Sequence, residues 1–372
     1  MRKIKICHVF GDFVNGGVEA VVFNYFSHMD LSKFDVHIIA HGIKVESCAD
    51  RFKKMGFTIH IVTPKRKSFS RNMKDIESIF QKEKFDIVHS HLTEWACVPM
   101  FLAWKCGLKV RINHSHMAEK PQGIKNKIYY GIRLYLGKIF STDLFACGND
   151  AGKYLFGEKM FKNGMIKIIP NAIDLKAFKY DKIIRDKLRR ENEIKEDSVV
   201  IGHVGRFFAQ KNHRFLIEIF NEYHKMVPNS ILLLFGEGEL MDDIKNLVTS
   251  KKMEKCVKFM GVKNNINEWY QVMDVFVLPS LYEGLPVVGV EAQASGLPCF
   301  FSDTITQEIA ISQYAKFISL NKKAIEWASE IVKNTSKYNR DDIKLDKRYN
   351  IDFRASMLEK FYLEKAKRIG IN

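Results

Sequence analysis

The chain has 372 residues, of which 46% are hydrophobic and 27% charged, with a formal net charge of +16. That length exceeds what one hydrophobic core comfortably serves, so two domains are expected. The composition is globular, and no apolar run approaches the roughly 20 residues of a bilayer-spanning helix.

Residues 1–170 hold +12 of the charge and the remainder +4. The first half is therefore expected to meet an anionic partner: nucleic acid, a membrane surface or a phosphorylated substrate. Residues 1–10 are charged and then strand-like, without the apolar region and small-residue cleavage site of a signal peptide. Cys7, Cys48, Cys97, Cys106, Cys147, Cys256 and Cys299 are scattered and form no C-x-x-C pair. That usage fits the reduced thiols of a cytoplasmic protein.

In chain order, short β-branched and apolar runs predict strands at 4–10, 36–40, 58–62, 87–90, 110–114, 144–147 and 166–169. A second series follows at 199–204, 231–235, 257–260, 275–278, 299–302 and 317–320. Near-continuous apolar strands are those of parallel sheets covered on both faces. Strands alternating with helical patterns argue βαβ units. Two series in succession predict an α/β chain of two doubly wound domains facing each other, residues 1–174 and 175–345. The boundary follows Ile169-Pro170-Asn171-Ala172-Ile173-Asp174, and a charged segment at 179–197 comes next. The tail, 346–372, reads as a helix marked by Phe353, Met357, Phe361 and Ala366.

The most informative stretch is Pro279-Ser280-Leu281-Tyr282-Glu283-Gly284-Leu285-Pro286-Val287-Val288-Gly289-Val290-Glu291-Ala292. It places Glu283 at the carboxyl end of a strand and Glu291 about two helical turns on. Open α/β sheets bind ligands in the crevice at the carboxyl ends of their strands. Two acceptor carboxylates there suit the hydroxyls of a sugar or a ribose. Upstream, Gly202-His203-Val204-Gly205-Arg206-Phe207-Phe208-Ala209-Gln210-Lys211-Asn212 puts Arg206 and Lys211 in the loop after the first strand of that domain. A guanidinium fork and a mobile ammonium suit a diphosphate. Phe235-Gly236-Glu237-Gly238-Glu239 ends another strand and resembles half a dinucleotide fingerprint. In the first half, Gly11 to Glu19 joins a strand to a helix through Gly16-Gly17. That turn would let an anion approach a helix N-terminus.

Two histidine pairs, His89/His91 and His114/His116, end two strands. Alternation puts i and i+2 on one face without making the pairs converge. A hydrogen-bonding histidine in a cleft is expected rather than a metal cluster, with His116 at the loop end. Residues 120–142 lack acids and carry Lys120, Lys125, Lys127, Arg133 and Lys138. Ile124, Ile128, Ile132, Tyr135 and Ile139 recur there at helical spacing. Such a helix suits an anionic membrane surface. The alternative is a core-facing helix with a solvated basic face. Residues 64–71 form a second basic patch. A nucleic-acid partner is not expected, since none of the familiar nucleic-acid-binding motifs is present.

Together these motifs resemble the retaining, nucleotide-diphosphate-sugar-dependent glycosyltransferases of family 4, with the GT-B fold of two facing Rossmann-like domains. The resemblance runs nearly end to end: the GG-V-E loop, the histidine after the fifth strand, I-P-N-A-I-D, V-G-R-x4-K-N, F-G-E-G-E and L-P-S-L-Y-E-G-L-P-V-V-G-V-E-A. It implies that Arg206 and Lys211 bind the donor diphosphate and Glu291 the ribose. Glu283, with Gly284 and Leu285 beside it, would contact the donor sugar. Gly17 would lie against the phosphates, and Gly236, Gly261 and Val262 would contribute backbone to the nucleotide pocket. His116 would point at the transferred sugar, although the doubled motif leaves His114 as an alternative. The family also implies a C-terminal helix crossing back to the first domain and no D-x-D metal motif, and D-x-D is absent from this sequence. The expectation is a metal-independent enzyme without a cofactor, on the inner face of a membrane. It would move a sugar, with a UDP-sugar favoured as donor, to a glycan or polyprenyl-diphosphate-linked acceptor in surface polysaccharide assembly. A phosphorylase or nucleotide-sugar epimerase on the same fold and a non-catalytic nucleotide-sugar-binding membrane-associated protein are the competing readings.

Overall fold

A computed structural model describes residues 2–14, 16–116, 124–335, 338, 340 and 343–371, with the side chains of 124–127 left aside. The expected residue Lys120 and the side chains of Ile124, Lys125 and Lys127 lie outside this description. The chain divides into two compact units, Met1–Ala172 with Asn350–Asn372, and Ile173–Tyr349.

The first unit holds strands β1 (Ile4–Val9), β2 (Asp12–Phe13), β3 (Phe34–Ala40), β4 (Gly42–Ile43), β5 (Thr58–Ile61), β6 (Ile87–Ser90), β7 (Val110–Ser115), β8 (Asp143–Ala146) and β9 (Ile166–Ile168). Seven form one parallel sheet in the order β5-β3-β1-β6-β7-β8-β9. The two-residue strands β2 and β4, too short for a sequence pattern to reveal, pair separately. Cys7, Val9, Ile39, Val88 and Ile112 are fully buried because helices cover both sheet faces. Strand order reverses between β1 and β6, the switch point at which such sheets leave a crevice.

The tail helix Ile351–Arg368 belongs to this unit. The Asn350 side chain caps it by accepting from the Phe353 amide at 3.1 Å. Its buried face is Ile351, Ala355, Leu358, Tyr362 and Ala366 with Phe361, while Phe353 and Met357 point outward. Lys365 Nζ anchors it to Asp143 at 2.6 Å.

The helix Ile124–Ile139 is turned opposite to an ordinary amphipathic helix. Ile128, Tyr129, Ile132, Tyr135, Leu136 and Ile139 are 37–62% exposed, whereas Tyr130, Arg133, Leu134 and Gly137 form its covered side. The core-facing alternative is thereby overturned: the apolar stripe faces outward, and Arg133 lies inward over the Trp95 ring at 4.5 Å.

The second unit holds β10 (Val199–Val204), β11 (Ser230–Phe235), β12 (Val257–Gly261), β13 (Val275–Leu278), β14 (Cys299–Ser302) and β15 (Ala315–Ile318). They form a parallel sheet in the order β12-β11-β10-β13-β14-β15, with the switch between β10 and β13. Leu216, Phe220, Leu232, Leu234, Val277 and Trp327 lie in its core. β15 starts two residues before the expected strand. The charged segment at 179–197 is no loose connection. It forms the helix Lys182–Glu191, capped by Asp181. Arg189, only 4% exposed, donates from Nη2 to Asp274 Oδ2 at 2.6 Å and to the Val272 carbonyl, and from Nη1 to the Ser198 carbonyl. A buried guanidinium needs such partners, and periodicity of apolar residues does not register them.

Candidate active site

Strands β10 and β13 are neighbours at the switch point of the second unit, so the loops leaving their carboxyl ends run side by side. The Leu281 amide donates to the Gln210 carbonyl at 2.8 Å, and Asn212 Nδ2 donates to the Pro279 carbonyl at 3.1 Å. These bonds bring Lys211 Nζ to 2.6 Å from Glu283 Oε1, with side chains 15% and 9% exposed. Gln210 Nε2 donates to the other carboxylate oxygen of Glu283 at 3.2 Å and to the Tyr282 carbonyl at 3.0 Å. Charge-assisted bonds of this kind fix the geometry of the pair. Arg206 is exposed, its guanidinium 4.9 Å from the Phe208 ring, and makes no ion pair among the described residues.

The helix Val287–Ala294 carries Glu291. Tyr270 donates its hydroxyl to Glu291 Oε2 at 3.0 Å. Loss of surrounding water raises the Glu291 carboxyl to about 7, against the lowering effect of that hydrogen bond. This acceptor is thus balanced between its acid and its carboxylate near neutrality. Gly284 is half-buried and Leu285 buried.

The glycines divide into two kinds. A Cβ at Gly236 (φ +127°) would lie 2.2 Å from the Gly205 carbonyl oxygen, so that glycine is required by the close approach of two strand-end loops. Gly261 (φ +65°) faces open space, beside an exposed Val262. Gly17 opens the helix Gly17–Ser27, and a Cβ there would meet nothing within 4 Å. Its neighbour Glu19, 5% exposed, reaches back to accept from the Val14 amide at 3.0 Å. A carboxylate therefore already occupies part of the helix end that the sequence offers to an anion.

In the first unit the two histidine pairs converge, a point that strand alternation alone leaves open. β6 and β7 are paired so that His89 stands opposite Ile112, which brings the strand-end rings together. His91 Nδ1 lies 2.8 Å from His116 Nε2, and His89 Nε2 lies 3.1 Å from His114 Nδ1. His8 on β1 joins them, its Nδ1 2.9 Å from His91 Nε2, and the Tyr362 hydroxyl lies 2.8 Å from His89 Nδ1. Burial lowers all five rings, to about 3 for His8 and His116 and well below the ordinary value for the others, so they are neutral. His8 Nε2 is buried without a hydrogen-bond partner among the described residues. An orphaned lone pair costs less than an orphaned N–H, which sets the chain His8 Nδ1–H to His91, His91 Nδ1–H to His116. His116 is then left with Nδ1–H as its outer donor. The ring nitrogens of His8, His89 and His91, and of His91, His114 and His116, form two groups close enough to hold a metal ion. Their N–H···N contacts already use several of those nitrogens.

Comparison with known proteins places this architecture. Residues 15–177 match the model described as Glycosyltransferase Family 4, and residues 184–342 match Glycosyl transferases group 1. A Bacillus subtilis (strain 168) protein, EpsF, is 32% identical over 338 residues, covering 88% of this chain and 87% of the relative. The chain belongs to the family 4 glycosyltransferases. An Escherichia coli relative named UDP-Gal:alpha-D-GlcNAc-diphosphoundecaprenol alpha-1,3-galactosyltransferase is 29% identical over 81% of this chain and 80% of its own. Among solved structures, Anabaena Alr3699/HepE in complex with UDP and glucose superposes with a TM-score of 0.77 over 98% of each chain at 15% identity. WaaG, described as involved in lipopolysaccharide biosynthesis, gives 0.70 over 98% of each chain, also at 15%. These likenesses establish the GT-B fold of this glycosyltransferase.

Sequence reading missed several residues of this glycosyltransferase that shape the two clusters. Gln210 and Tyr270 buttress Glu283 and Glu291, Glu19 fills the first helix end, and His8 and Tyr362 complete the imidazole cluster. His8 carries a signal: it lies near the carboxyl end of β1, one of the two strands that flank the switch point. Tyr362 carries none, because its partner His89 is 273 residues away.

Proposed function

We propose that this glycosyltransferase moves a hexose-type unit from a UDP-sugar to a polyprenyl-diphosphate-linked glycan during surface polysaccharide assembly, with retention of anomeric configuration. The observation that carries the reading is the Lys211–Glu283 ion pair between the loops that leave β10 and β13, with Arg206 in the same β10 loop and Glu291 on the helix that follows the β13 loop. The UDP named in the HepE complexes and the lipid-linked acceptor named for the Escherichia coli relative support it.

Arg206 and Lys211 would hold the diphosphate, and Glu283 would orient Lys211 while accepting from the donor sugar. Glu291 would accept from the ribose, with Gly261 and Val262 beside the base, Gly236 holding the loops together, and Gly284 and Leu285 flanking the sugar. Preorganised cations act where charge develops, here on the departing diphosphate. Front-face transfer follows: the bond from the anomeric carbon to the diphosphate breaks, the acceptor oxygen bonds on the same face, and the diphosphate takes the acceptor proton. His116 Nδ1–H would donate to the transferred sugar and Gly17 would lie near the phosphates. The chemistry needs no metal or cofactor.

The outward stripe Ile128, Tyr129, Ile132, Tyr135, Leu136 and Ile139 supports docking on an anionic membrane at its cytoplasmic face. Nucleic acid is not a partner in this reading. Thermal-shift titration with UDP, GDP, ADP and dTDP, without added metal, tests the donor assignment. A shift confined to UDP and lost in Arg206→Ala is expected. No shift with any nucleotide would remove it. Flotation with anionic vesicles, expected for the native protein and lost in Ile132→Glu/Tyr135→Glu, tests the membrane claim.

A further inference from the structure

Trp95 stands in the short helical turn after β6, and two cations lie against its ring. Lys65 Nζ, from the segment after β5, is 3.8 Å from the ring centroid, and Arg133 Cζ, from the covered side of helix Ile124–Ile139, is 4.5 Å away. Arg133 Nε is buried with no hydrogen-bond partner among the described residues. Neither cation forms an ion pair with a carboxylate among the described residues. Burial lowers the Lys65 amine to about 8, with Glu94 opposing and Arg133 and Arg66 adding to the shift.

Glu94 is the one carboxylate acting on Lys65, against the two cations Arg133 and Arg66, so positive charge is in excess in this half-buried place and repels unless a further anion binds. Ring faces attract each cation singly, but do not relieve the repulsion between them. The place is also where a ligand is expected. Lys65, Trp95 and His41 leave the carboxyl ends of β5, β6 and β3, and together they line one small cavity with Asn72 and Leu92. Arg133 is on the helix whose opposite side presents the apolar stripe. A guanidinium fork and an ammonium beside an apolar surface match a phosphate group attached to a lipid chain.

We propose that Lys65 and Arg133 form a phosphate-binding subsite for a polyprenyl-linked acceptor whose chain lies along the exposed stripe of the neighbouring helix. The identity of the acceptor class rests on the function proposed above, whereas the anion site rests on the side-chain geometry.

The test is flotation with neutral phosphatidylcholine vesicles containing either undecaprenyl diphosphate or undecaprenol. The native protein is expected to partition at least tenfold better onto the diphosphate vesicles. Lys65→Ala/Arg133→Ala should fall to the undecaprenol level, while Lys74→Ala/Lys82→Ala, which removes the same charge from the exposed face of another helix, should not. Equal loss in both pairs, or equal binding of native protein to the two vesicles, overturns the subsite. Inorganic pyrophosphate bound as tightly as the vesicles would overturn the lipid-linked source. Lys65→Gln/Arg133→Gln provides a second variant should the alanine pair misfold. A UDP-induced thermal shift preserved in either variant separates failure here from failure of the donor reading.

Discussion

The strand-end clusters of the two units sit at equivalent places, the switch points of parallel sheets, yet are electrostatic opposites. In the second unit Lys211 and Glu283 are an ion pair, Arg206 is exposed and unpaired among the described residues, and Glu291 is held near 7. In the first unit five imidazoles are packed so closely and dryly that all are neutral. In the second unit a carboxylate stands beside the ammonium. Imidazoles buried together, with no carboxylate in contact among the described residues, lose their protons to desolvation instead. The same topology thus makes one cluster suited to a diphosphate's charge and the other suited to directional hydrogen bonds.

The largest effects should come from removing cations at the charged cluster. Arg206→Ala is expected to lower turnover on the order of a hundredfold or more; native turnover would break the assignment of that cluster to catalysis. Glu283→Gln sharpens the contrast, because it frees Lys211 while removing a sugar contact. Turnover should fall at least tenfold while the UDP-induced thermal shift is kept, and a variant with native kcat would show that Glu283 only positions its neighbour.

The neutral cluster should reveal itself through pH. Folded-state values lie below the unfolded value of about 6.5, so the unfolded chain binds more protons between the two. Stability is then full above roughly pH 6.5 and lost as pH falls, by about 1.4 kcal/mol per pH unit for each such histidine. The slope of unfolding free energy between pH 5 and 6.5 should lessen by one proton in His8→Leu; an unchanged slope would mean that His8 is charged in the native state. The smallest effect concerns Glu291. Its folded value is raised, so its contribution is present below about pH 4.5 and lost as pH rises through about 7. Glu291→Gln should raise the melting temperature of the ligand-free protein by a few degrees or less at pH 8 while weakening UDP binding. Lower stability at pH 8 would contradict the raised carboxyl.

The alternation of apolar runs and helical patterns determined both parallel sheets, because strands covered on two faces must be apolar throughout. Sequence also pointed to the loops proposed to carry the chemistry, since Arg206, Lys211, Glu283 and Glu291 each follow a recognisable strand. Tertiary structure alone decided that Lys211 meets Glu283, a contact across 72 residues of chain, and that His8 and Tyr362 join the histidines. It decided too which way the stripe on helix Ile124–Ile139 faces. Periodicity measures the angular spacing of side chains on a helix. It carries no information about which side the rest of the molecule covers, and here Arg133 drawn in over Trp95 left the apolar side outward.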